Sequence, residues 1–280
     1  MENIYLQNAI FDILKLIIFY LKKSIFAIFI LFFVSYYLLK KLKIRFVKEL
    51  PEITIKAYLQ LIFISLVLLF LLKIEFKYAF LLVAALITYN AAKINLSRFP
   101  IEDKKEKRKF LKFIWISYFL ISLFGILVLF TTDLFSFSPE VIIPLIGISV
   151  AGAMRGVNLL ISSLFNKVKE NKDILESVFA LGGSQKDALE LLKEEVLYYS
   201  TLNTRDMLKA AGIVHIPGVM VGLLLAGTPP IKAATIQFLV LNLILFNVVV
   251  SSFFAFKYFS NYFPYPKFFL DKENKEKKGG

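Results

Sequence analysis

Residues 113–130 read FIWISYFLISLFGILVLF, eighteen residues without a charge, and they follow directly on KKEKRKFLK at 104–112. Wound as a helix, an uncharged run of that length crosses the roughly 30 Å of hydrocarbon in a bilayer, and the Lys and Arg at its start mark the side on which it begins. Working outward, six more predominantly apolar runs appear: Ser24–Leu39, Ile55–Leu72, Tyr78–Ile94, Val141–Phe165, Met207–Ala226 and Ala233–Phe256. Seven transmembrane helices in 280 residues, 58% of them hydrophobic, leave no polar surface for a soluble fold and no room for a second folded domain. The expected fold is an all-α integral membrane protein.

Ahead of the first span, Ile4–Tyr20 is apolar but carries Gln7, Asn8, Asp12 and Lys15. That pattern suits an amphipathic helix over residues 1–23 lying at the interface. A cleaved leader fits worse, because no basic segment precedes the apolar stretch and no small-residue cleavage pattern follows it. The expected organisation is therefore this interfacial helix, a membrane domain over 24–262 and a basic tail over 263–280.

The net charge of +13 acquires meaning when sorted by side. The segments Lys40–Lys56, Lys93–Lys112, Arg155–Lys209 and Lys257 onward hold 28 Lys and Arg against 16 acids, whereas the connections on the other side hold three of each. The positive-inside rule makes the first group cytoplasmic, with the start of the first span outside and the tail inside. The excess charge thus sets orientation in the cell (plasma) membrane, and no nucleic-acid partner is implied. No Cys and one His exclude disulfides, Cys nucleophiles, zinc hydrolase sites and His clusters.

The inner segment 166–206 is too long for a plain connection. Ile174, Leu175, Val178, Phe179 and Leu181 recur at helical spacing, Gly182 and Gly183 interrupt, and Ala188, Leu189, Leu191, Leu192 and Val196 resume. A helix, a glycine turn and a second helix follow, with eight basic and eight acidic residues across Arg155–Lys209. Balanced charge argues for a protein partner over a lipid headgroup. No GxxxxGK[ST] loop is present, so the chain has no means of hydrolysing ATP itself and no enzymatic role is expected of it.

Ionisable residues inside spans are the default functional candidates. Arg155 lies in the fifth span beside Gly152, Gly156 and Asn158, and His215 lies in the sixth just before Pro217. The bland alternatives are an arginine that snorkels to the headgroups and a histidine that packs. Gly147, Ala151, Gly152 and Gly156 form one small-residue stripe, and Gly218, Gly222, Ala226 and Gly227 form another; each suits helix packing, a sliding seam or a dimer face. Pro217 and Gly218 predict a kink. The amides Gln60, Asn90, Asn95, Asn158, Gln237, Asn242 and Asn247 serve either as interhelical glue or as the lining of a polar path.

At Gly212–Gln237 the chain reads GIVHIPGVMVGLLLAGTPPIKAATIQ. Gly212, Val214, Pro217, Gly218, Met220, Gly222, Ala226, Gly227, Pro230, Ala233 and Gln237 resemble, without a gap, the corresponding motif of the FetB-type iron-export permeases, the membrane half of a small ATP-binding-cassette transporter family. Leu181, Gly182 and Ala188 resemble its L-G-A turn; Pro144, Gly147, Ala153 and Met154 resemble its fifth span, and Asn90 and Gln60 its third and second. The resemblance runs over about Ser24–Tyr262. Departures are His215 for a small Ser, Val219 for a Met, Gly152 for an Asn, Asn203 for a Pro, and Glu176 one place from the expected acid. They leave fold and partner intact and touch the substrate, which in related plant proteins is associated with aluminium tolerance.

This resemblance implies the permease subunit of an ATP-driven exporter of iron or another metal species, working as a homodimer with a separate cytoplasmic ATPase that binds ATP and Mg. It makes the inner helix-turn-helix the coupling element, with Leu175, Glu176, Phe179, Gly182, Gly183 and Ala188 as its residues. It makes Arg155, Met154, His215, Pro217, Gly218, Met220, Gln237, Asn90 and Gln60 the candidates for pathway or gate. A stand-alone ion-coupled transporter and a non-transporting scaffold are the alternatives.

Overall fold

The computed structural model describes residues 2–71, 79–98 and 103–262. Every element there is helical; the nearest approach to a strand is one isolated bridge between Ala211 and His215. The chain divides into two units, Met1–Phe70 and Leu71–Gly280.

In the first unit, α1 (Glu2–Lys41) runs without a break through the junction expected near residue 23. Forty residues at 1.5 Å each reach about 60 Å, enough for one crossing and an equally long extension. Lys43, with φ of 56°, turns the chain into a 3-10 helix over Arg45–Glu49, where Val47 is buried, and α2 (Leu50–Leu71) follows. None of the described side chains of α2 is buried.

The second unit is built around two long helices, α5 (Pro139–Glu170) and α10 (Pro230–Tyr262). Against them pack α3 (Ala79–Ser97), α4 (Lys104–Phe130) and the shorter α6 (Lys172–Ala180), α7 (Gln185–Glu190), α8 (Lys193–Ala210) and α9 (Gly218–Leu225). α4 begins cleanly because the Asp103 carboxylate accepts the Lys105 N–H at 2.7 Å. α5 buries Ile142, Ile146, Ala153, Val157, Leu160, Leu164 and Val168, a continuous face at helical spacing. Among lipid tails apolar burial drives little, so close packing must hold these helices together. Glycines permit it. A Cβ on Gly125 of α4 would stand 2.6 Å from Leu243, one on Gly152 2.7 Å from Ile244, and one on Gly156 2.8 Å from Val248, all three partners on α10.

Five helices among the described residues, α2, α3, α4, α5 and α10, are long and apolar enough to cross a membrane. The expectation of seven continuous spans needs correction at Met207–Ala226, which is divided among the end of α8, a non-helical stretch and the eight-residue α9. A hydropathy count misses this because it sees side chains, while the interruption comes from the backbone. The 40-residue inner segment also differs in detail: its second helix is split into α7 and the first turns of α8. The tail at 263–280 lies outside the described residues.

Candidate transport site

The interruption after α8 is compact and hydrogen-bonded. The carbonyl of Ala210 accepts from the N–H groups of Ile213, Val214 and His215 at 3.3, 2.9 and 3.3 Å, and the Gly212 N–H donates to the carbonyl of His215 at 3.0 Å. Gly212 has φ of +80°, a conformation that costs other L-residues steric strain. Pro217 then offers no N–H to continue a helix and stands extended before α9. The α9 N-terminus is fastened from the side, since the Met220 N–H donates to Oε1 of Gln237, a buried amide on α10, at 3.1 Å. Ile213 and Val214 are thereby left 90% and 79% exposed.

Three contacts fix the path of this part of the chain along α10. Gln185 of α7 reaches the carbonyls of Phe259 and Ser260, Ser200 of α8 and Ser252 of α10 both adjoin Gly156, and Met220 of α9 meets Gln237. The segments α7, α8 and α9 thus follow α10 from its C-terminal to its N-terminal end, and the helical path is broken between α8 and α9. Transporters use such breaks at their substrate sites, where main-chain polar groups can face a path in place of lipid.

The expected kink at Pro217 and Gly218 is a full interruption, and His215 contributes to it through its main chain while its side chain is exposed. Gly218 and Gly222 face open space, with nothing within 4 Å of a would-be Cβ, so the second small-residue stripe makes no intrachain seam. The first stripe does, at Gly152 and Gly156, although Gly147 is open.

The other pathway candidates separate. Asn95 is fully buried: its amide donates to the carbonyl of Met154 at 3.0 Å and to Oδ1 of Asn158 at 2.9 Å, and its own oxygen accepts from the Tyr118 hydroxyl. Met154 therefore acts here through its carbonyl, in a node joining α3, α4 and α5. Asn90 is exposed and bonds Leu86 of its own helix, Arg155 is exposed on α5, and Gln60 is exposed in the first unit. Sequence reasoning overlooked Tyr118 and Ser122, whose hydroxyl donates to Oδ1 of Asn247 at 2.9 Å. Their signal was available: Ile114, Tyr118, Ser122, Gly125 and Leu129 recur every three or four residues along one face of α4. Also unanticipated are Ser251 and Ser252 of α10, whose buried hydroxyls lack a partner.

The coupling candidates form the hairpin α6–turn–α7. Gly182, with φ of +83°, lets the chain reverse, and the Gly183 N–H closes back onto the Val178 carbonyl at 2.9 Å. Ser184 starts α7 with a capping box: its N–H donates to the Asp187 carboxylate at 2.9 Å and its Oγ accepts the Asp187 N–H at 3.3 Å, while its hydroxyl also donates to that carboxylate at 2.7 Å. These bonds hold the Asp187 carboxyl below its ordinary value, the Ser184 side chain contributing most. Leu175 and Ala188, expected in the coupling element, are buried within the chain and leave no apolar surface there for a partner. Exposed instead are Ile174, Leu191 and above all Leu181, at 89%, with Phe179 half-buried and Glu176 paired with Lys172 at 3.7 Å. Among the described residues no three His, Cys, Asp or Glu gather closely enough to hold a metal ion.

The sequence model of the family described as "Uncharacterised protein family (UPF0014)" matches residues 23–263. The chain belongs to the UPF0014 family. Within UPF0014 it is similar to the "Probable iron export permease protein FetB" of Escherichia coli (strain K12), 27% identical over 218 residues, 76% of this chain and 79% of the relative. The "UPF0014 membrane protein YjkA" of Bacillus subtilis (strain 168) is 25% identical over 224 residues, 79% of this chain and 86% of that one. "Protein ALUMINUM SENSITIVE 3" of Arabidopsis thaliana is 28% identical over 137 residues, about half of either chain. No solved structure matches. The UPF0014 match spans the α6–α7 hairpin and the break between α8 and α9.

Proposed function

We propose that this chain is the membrane subunit of an ATP-driven exporter in the plasma membrane, working as a homodimer with a separate ATPase that binds ATP and Mg. The observation that carries this reading is the α6–α7 hairpin, which holds Leu181 almost fully exposed at its tip while Gln185 ties its far side to the last turn of α10. An apolar tip on a charge-balanced hairpin suits insertion into a protein groove. Movement of that groove would act on α10, whose other half holds α9 through Gln237, roughly 33 Å away at 1.5 Å per residue. The hairpin and the broken crossing are therefore mechanically in series.

The similarity to a protein named as an iron export permease supports iron or another metal species as cargo. The open glycine face of α9 supports a second chain at the pathway. The charge asymmetry supports a cytoplasmic hairpin and C-terminus.

Co-expression with an ATPase encoded beside this chain, followed by purification in detergent and a metal-efflux assay, tests the reading. The wild type should co-purify and drive efflux, and Leu181→Asp should lose the ATPase while keeping its helix content. Failure of the wild type to bind any such ATPase, together with ion-driven flux in liposomes without ATP, would replace this reading by a stand-alone transporter.

A further inference from the structure

The end of the bundle where α4 begins and α10 finishes holds a cavity of about 530 Å³ that the transport reading does not use. It is lined by Lys109 and Phe113 on α4 and by Phe254, Lys257, Tyr258 and Asn261 on α10. Both helices present the same order of chemistry: a lysine towards the helix end and a phenylalanine one turn deeper in the span, Lys109 before Phe113 and Lys257 after Phe254. The floor between them is aromatic, with the rings of Phe113 and Tyr258 4.9 Å apart.

Two cations stand over this floor. The Lys109 ammonium meets the Glu106 carboxylate at 2.9 Å but keeps over half its side chain exposed. Lys257 is exposed, and no ion pair engages it among the described residues. With Glu106 and Asp103 both acting on Lys109, Lys257 free of an ion pair among the described residues, and an amide at Asn261, the upper part favours a singly charged oxyanion. The lower part favours hydrocarbon. A free inorganic anion would gain nothing from the phenylalanines, whereas a lipid has both halves in the right order, and basic pockets between membrane helices are a recognised headgroup environment.

We propose that this groove binds an anionic phospholipid, with its phosphate between Lys109 and Lys257 and its acyl chains along Phe113 and Phe254. The site is independent of the exporter reading.

The test is native mass spectrometry of the delipidated full chain titrated with phosphatidylglycerol, phosphatidylcholine or inorganic phosphate. Phosphatidylglycerol should be retained in preference to phosphatidylcholine. K109Q/K257Q should weaken it by about 30-fold, each lysine near an anionic headgroup counting for about fivefold. K104Q/K105Q, which removes the same charge at the exposed start of α4, should leave binding unchanged. Should the double variant lose helix content, K257Q alone, expected at about fivefold, decides. Undiminished binding by K109Q/K257Q, or equal loss in both double variants, overturns the site. Displacement of the lipid by millimolar inorganic phosphate overturns the lipid as its occupant.

Discussion

Oε1 of Gln237 accepts the backbone N–H of Met220 at 3.1 Å, joining the N-terminal part of one long helix to the first turn of the short helix beyond the break. Gln237 is buried, so Gln237→Leu keeps the bulk and removes the acceptor. Loss of one such bond should lower stability by about 1 kcal/mol. Transport should fall further than that, because α9 loses its side-chain tether to α10. Thermal unfolding in detergent alongside metal efflux separates the two effects; equal loss of both would mean that the bond is purely structural.

Asn95 ties α3 to α4 and α5 through three hydrogen bonds. At about 0.6 kcal/mol per interhelical bond in a membrane protein, Asn95→Leu should cost about 2 kcal/mol. Asn90→Leu, removing an amide bonded only within its own helix, should be nearly neutral. The midpoint of thermal unfolding checks both.

Gly156 and Gly147 share a helix and differ in surroundings. A methyl on Gly156 would meet Val248 at 2.8 Å and the Ser200 carbonyl at 3.1 Å, so Gly156→Ala must push α5 away from α8 or α10. Overpacking of this kind costs about 1–3 kcal/mol. Gly147→Ala meets nothing within 4 Å and should stabilise the helix by about 0.5–1 kcal/mol. Opposite shifts of the unfolding midpoint are the expected result.

The capping box of α7 carries a pH signature. Hydrogen bonds from Ser184 lower the Asp187 carboxyl in the folded state, so their stabilisation is fully present above the ordinary value of 3.8 and disappears as pH falls through the lowered one. Protection of the amides over 185–190, taken against their intrinsic exchange at each pH, should fall only in that acid window. Ser184→Ala should lower it about fivefold at neutral pH and shrink the acid step, since the backbone N–H at 184 still donates to Asp187.

Much of the fold is legible in single residues and short windows. Apolar runs located the long helices, although α4 begins nine residues ahead of the apolar run at 113–130. Gly182 and Gly183 stand at the turn between α6 and α7. The break at 211–217 was only half legible: Pro217 announced it, but nothing local indicated that the Ala210 carbonyl would gather three N–H groups. Leu175 and Leu181 look alike in sequence, yet one is buried and the other is the bare tip of the hairpin, because burial depends on which side of α6 meets the body of the protein.

By itself, then, the sequence determined that this is a helical membrane protein whose basic residues cluster between its apolar runs. Hydropathy and charge are properties of each residue and its nearest neighbours, so no partner was needed to read them. The tertiary structure decided the interruption between α8 and α9, the inward turn of Leu175 and Ala188, the Asn95 node and the cavity between Lys109 and Lys257. Each of these needs residues brought together from separate helices, and the distances between them are set by packing at Gly125, Gly152 and Gly156.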